Sequence, residues 1–72
     1  MDTERLIQMA NAIGQFFEAM PDREEALDGV AAHLRRYWAP SLREALLAQS
    51  RSEAVEQALH PLVAQALRTR WP

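Results

Sequence analysis

The stretch Leu6-Ile7-Gln8-Met9-Ala10-Asn11-Ala12-Ile13-Gly14-Gln15-Phe16-Phe17-Glu18-Ala19-Met20-Pro21 decides the fold class. Leu6, Ala10, Ile13, Phe17 and Met20 alternate spacings of four and three, which puts them on one face of an α-helix. A cap at Asp2 or Thr3 can start this helix. It must stop near Met20, because Pro21 has no N–H and disfavours helical geometry in the residue before it. The spacing therefore predicts a helix over 3–20. Its apolar arc runs from Phe16 and Met9 through the core set to Ile7, about 180° where one buried face needs about 100°. Gln8, Asn11 and Gln15 are polar but neutral, so no charge falls between Arg5 and Glu18. Such an arc belongs either to a central helix packed on two siblings or to a face that meets another protein. The low charge, a property of interface cores, favours the second reading.

Outward from this helix the same arithmetic continues. Asp22 with Glu25 forms a capping pair, and Leu27, Val30, Ala31, Leu34 and Trp38 keep helical spacing, predicting a helix over 23–38. Pro40 is read as its breaker, Ser41 with Glu44 as the next capping pair, and Leu42, Ala45 and Leu46 as the apolar stripe of a helix over 41–49. Ser50 with Glu53 precedes Ala54, Val55, Ala58 and Leu59, a segment over 52–59. Pro61 suits the first position of a last helix over 61–70, carried by Leu62, Val63, Ala66 and Leu67, with Arg68 and Arg70 at its C-terminal end. No segment alternates with period two. Gly14 and Gly29 lie inside helical patterns, where glycine permits close packing more often than it binds phosphate. The expectation is an all-α chain, a single domain built as a small bundle of three to five short helices with no sheet.

Composition limits the functions open to such a bundle. The 72 residues sit near the size at which one core outweighs conformational entropy, and there is no cysteine to reinforce it with a disulfide or a thiolate metal site. Docking onto a larger protein is the natural remedy. All eight basic residues are arginine, and the net charge of −2 gives no concentrated basic surface for nucleic acid. Met1-Asp2-Thr3-Glu4-Arg5 lacks the basic start of a secretory signal, and no apolar run approaches the ~20 residues of a membrane span, so a cytoplasmic location is expected.

Catalysis finds little support. His33 and His60 are the plausible general bases, but no serine or cysteine stands in a nucleophile motif and no acid is obviously paired with either histidine. His33 flanks the core stripe of the second helix, and His60 is a turn residue ahead of Pro61. A binding face is better supported. Arg35-Arg36-Tyr37-Trp38-Ala39-Pro40 gathers residue types enriched at binding hot spots beside a helix end. Trp38 falls on the core stripe, Tyr37 at its edge, and Arg36 opposite the core. Leu47 lies off the stripe of Leu42 and Leu46, a hint of a second apolar contact.

The blocks Met9-Ala10-Asn11-Ala12-Ile13-Gly14-Gln15-Phe16-Phe17, Pro21-Asp22-Arg23, His33-Leu34-Arg35-Arg36-Tyr37-Trp38-Ala39-Pro40 and His60-Pro61-Leu62-Val63, in this order and spacing, resemble the delta subunit of soluble, NAD-dependent formate dehydrogenase. The similarity runs from about residue 5 to 68. It implies a non-catalytic accessory subunit, binding no cofactor itself, that associates with a large catalytic alpha subunit and supports its stability or assembly. In such a complex the alpha subunit holds bis-molybdopterin guanine dinucleotide with molybdenum or tungsten, plus iron–sulfur clusters. The beta and gamma subunits complete the complex, in which flavin and NAD are bound outside the alpha subunit. The residues expected at the partner interface are Met9, Asn11, Phe16, Arg35, Arg36, Tyr37 and Leu47. Two alternatives stay open from the residues alone, a free-standing homo-oligomeric helical bundle and a small helical DNA-binding regulator.

Overall fold

The computed structural model describes residues 2–71, and these form five helices with no strand among them. They are α1 (Thr3–Phe17), α2 (Arg23–Tyr37), α3 (Pro40–Gln49), α4 (Glu53–Ala58) and α5 (Pro61–Thr69). The all-α expectation holds.

The first two starts are made by the caps the sequence offers. Asp2 accepts the Arg5 N–H at 2.8 Å, and Asp22 accepts the N–H groups of Glu24 at 2.9 Å and Glu25 at 3.3 Å. These bonds satisfy donors that a helix N-terminus otherwise leaves orphaned. Pro61 opens α5 at its first turn, and the His60 side chain caps that helix by accepting the Leu62 N–H.

Two capping assignments are corrected. Pro40 does not merely break α2; it starts α3, with Ala39 as N-cap and no side-chain cap bond, so the Ser41–Glu44 box does not form. A proline ring already has helical φ and lacks the N–H that would need a partner at that position. Ser50 likewise closes α3, its hydroxyl donating to the Leu47 carbonyl at 2.7 Å, and Ser52 takes the N-cap position of α4 without a side-chain bond. α1 also ends at Phe17, short of the expected Met20. The Glu18 N–H closes it on the Gly14 carbonyl, and the Met20 N–H turns back to the Phe17 carbonyl, which leaves Met20 packed against the core ahead of Pro21.

α1, α2 and α5 form the main packing unit, with α3 laid against α1 and α2. Leu6, Leu27, Val30, Leu34, Leu46 and Val63 are fully buried at the centre, and Leu59, Leu62 and Leu67 extend the core along α5 and its approach. Burying each such side chain contributes on the order of 1.5–3 kcal/mol. Both helical glycines are contact points. A Cβ on Gly14 would come within 2.5 Å of His60 Cγ, and one on Gly29 within 2.5 Å of Phe17 Cε1. Most of the wide apolar arc of α1 is thus explained by siblings on both sides. One part of it is not.

Candidate protein-binding groove

Phe16 stays outside. It is 75% exposed and Tyr37 is 68% exposed, the two large hydrophobic side chains left in solvent among the described residues. Both line one open groove of about 480 Å³ between α1 and α2, together with Ala12, Ile13, Phe17 and His33. The local reason is periodicity. Ala12 and Phe16 are one turn apart on α1, as are His33 and Tyr37 on α2, so each helix presents a stripe beside its buried face.

A chain of rings makes the floor and walls. Phe16 meets Phe17 edge-on with centroids 5.0 Å apart, Phe17 meets His33 at 6.4 Å, and His33 tilts against Tyr37 at 4.9 Å. Edge-to-face contacts of this kind hold ring orientation as well as adding area burial. Phe17 is further backed by Gly29, whose missing Cβ leaves the space its ring occupies. No lining residue carries a carboxylate or a guanidinium. Arg36 stands next to Tyr37 and three residues after His33, at the solvent edge of the α2 wall, and it makes no side-chain hydrogen bond or ion pair with another described residue.

The other expected interface residues are placed differently. Asn11 is half-buried and engaged within the chain: its Oδ1 accepts the His60 N–H at 2.6 Å and its Nδ2 donates to the Ala58 carbonyl at 3.0 Å. Arg35 lies over the Trp71 ring, 4.9 Å from its centroid, and donates to the Arg70 carbonyl. Arg70 in turn pairs with Asp28 at 2.7 Å and with Glu24, and the Asp28 carboxylate is the main reason its pKa is raised further. Arg35 therefore belongs to a clamp that fastens the end of α5 to α2. Met9 is half-buried, two turns before Phe16 on the same flank of α1. Leu47 packs partly on the core and borders a separate shallow depression with Ser50, Arg51, Glu56 and Arg68. The structure brings Phe16, Tyr37 and the edge residue Arg36 together and leaves Leu47 apart. By sequence, Phe17 is a core residue and His33 flanks the core stripe. Their part in the groove was signalled only by the four-residue steps Ile13–Phe17 and His33–Tyr37.

The histidine without an acid is a further correction. Glu18 Oε2 lies 3.1 Å from His60 Nε2. Because Nδ1 accepts the Leu62 N–H, the neutral ring carries its proton on Nε2 and donates it to Glu18. The depression around them is lined by Met20, Pro21, Arg23, Ala26, Pro61 and Leu62, with no serine, threonine, cysteine or lysine. Both ring nitrogens are thus engaged, Nε2 in holding the start of α5 to the end of α1 and Nδ1 in capping α5 itself. No cluster of three or more histidine, cysteine, aspartate or glutamate side chains able to hold a metal occurs among the described residues, and no described helix is long and apolar enough to cross a membrane.

Fold and groove together define a small helical-bundle protein whose exposed large apolar side chains converge on a single surface feature. The model of the NADH-dependent formate dehydrogenase delta subunit family, FdsD, matches residues 5–67, and the chain belongs to that family. The match takes in α1 from Arg5 onward, all of α2 and all of the groove lining. No curated protein and no solved structure matches significantly.

Proposed function

We propose that this chain is a non-catalytic accessory subunit that binds the catalytic alpha subunit of a cytoplasmic NAD-dependent formate dehydrogenase and stabilises it or helps it assemble. In this reading the alpha subunit carries bis-molybdopterin guanine dinucleotide with molybdenum or tungsten and iron–sulfur clusters. Beta and gamma subunits complete the complex, with flavin and NAD bound outside the alpha subunit. This chain binds none of these groups, and having no cysteine it offers no thiolate for an iron–sulfur cluster.

The observation that carries the proposal is the exposed aromatic groove in a member of a delta-subunit family. Exposed aromatic side chains cost solubility and are enriched at binding hot spots, so their gathering at one place is better explained by a partner than by the fold. The experiment is affinity capture of the tagged chain from its native host, with mass spectrometry of co-purified proteins and a formate-to-NAD assay on the eluate. Recovery of a large molybdopterin-containing subunit with activity is expected, while the purified chain alone oxidises no formate. Capture of the chain alone, or with only copies of itself, would return the protein to the homo-oligomeric reading.

A further inference from the structure

We infer that the groove between α1 and α2 receives one amphipathic helix of the catalytic subunit, which seats apolar side chains over Phe16 and Tyr37 and sets a carboxylate against Arg36. This rests on the proposed function and specifies the partner element and its chemistry.

Three features of the surface lead there. The first is shape. The groove runs between two helices, and its α1 wall from Ala12 to Phe17 is about 9 Å of helix axis at 1.5 Å per residue. That length matches about two turns of a partner helix laid in it, the helix-in-groove mode in which residues at i and i+3 or i+4 act as anchors.

The second is preorganisation. The Phe16, Phe17, His33 and Tyr37 rings already contact one another in sequence, and Phe17 occupies the space left by the missing Cβ of Gly29. A groove formed before binding lowers the ordering cost of association.

The third is charge. Most of the arginines are already engaged: Arg23 with Gln65, Arg35 with the Arg70 carbonyl and Trp71, Arg43 with the Arg35 carbonyl, Arg68 with Glu56, and Arg70 with Glu24 and Asp28. Arg36, like Arg5 and Arg51, is not, and of these three it is the one next to Tyr37 and three residues from His33, outside a lining that has no charge, so the complementary partner residue is an aspartate or glutamate at the margin of an otherwise apolar face.

The test uses the full chain and the purified catalytic subunit produced without it. Affinity is measured for the unaltered chain, Phe16→Ser, Tyr37→Ser and Arg36→Glu, with far-UV circular dichroism confirming the fold of each. Both aromatic sites are largely exposed, so these variants fold. Phe16→Ser is expected to weaken binding about 30-fold or more, as at a hot spot. Arg36→Glu is expected to weaken it about tenfold at low salt, with a smaller effect at high salt. A photo-crosslinking residue at position 16 should capture a helical segment of the catalytic subunit that contains an aspartate or glutamate. Wild-type affinity in all three variants overturns the groove assignment while leaving the accessory role intact, and so does a crosslink to a second copy or to a segment without a carboxylate. Failure of the unaltered chain to bind the catalytic subunit overturns both.

Discussion

Gly14 and Gly29 are fixed by the rings that face them, and the two positions should respond differently to the same added methyl group. At Gly29 the obstacle is the ring edge of Phe17, which can turn toward the open groove. Overpacking costs about 1–3 kcal/mol, and alanine in place of glycine within a helix returns up to about 1 kcal/mol, so Gly29→Ala is expected to lose only about 1 kcal/mol. At Gly14 the obstacle is Cβ and Cγ of His60, whose own backbone N–H is held by Asn11 and whose ring is held at both nitrogens. Gly14→Ala should therefore lose about 2 kcal/mol or more, and urea midpoints of the two variants would show the order. Asn11→Ala removes an acceptor and a donor from a half-buried site and should cost about 1–3 kcal/mol in the same measurement. Its effect on partner affinity should vanish once binding is expressed per folded molecule. Undiminished stability together with weakened binding would instead restore Asn11 to the interface.

Among the elements, what was legible in the sequence was what is local. The four-and-three spacing of Leu6, Ala10, Ile13 and Phe17, the acidic caps Asp2 and Asp22, and Pro61 at a first turn each act within a few residues, and each stands where the pattern puts it. Asp22→Ala should accordingly cost about 1 kcal/mol by thermal or urea unfolding. Ser41→Ala should stay within about 0.5 kcal/mol of the unaltered chain, because Ala39 and Pro40 and not Ser41 begin α3. The pattern could not rank two competing N-caps two residues apart, and proline won by being already in helical geometry. Long-range pairings were out of reach for another reason: Asn11 with His60 and Glu18 with His60 span 49 and 42 residues and exist only once α1 and α5 are packed. The groove was half legible. Phe16 falls outside the helical stripe and Tyr37 at its edge, but their convergence depends on how α1 and α2 pack. The clamp at the end of α5 was missed altogether. Being built from exposed ion pairs, it should yield to salt: Arg70→Ala lowers the melting temperature at low ionic strength and loses most of that effect in high salt.

For the molecule as a whole, a core of this size leaves a small margin between burial and conformational entropy. A partner that binds only the folded chain adds to that margin through mass action, by about 2.7 kcal/mol at a hundredfold excess over Kd. The chain's melting temperature should therefore climb with the concentration of the catalytic subunit, a shift that differential scanning calorimetry would detect and that Phe16→Ser should cut to about a third at matched concentrations. The placement of the two indoles bears on how such a molecule can be watched. Trp38 sits at the corner between α2 and α3, Trp71 lies under Arg35 in the clamp, and neither lines the groove. Light absorbed selectively by tryptophan thus reports the corner and the clamp, while the groove's own chromophore, the phenol of Tyr37, stays dark. The chain carries an internal optical gauge of its folding that does not look into the groove.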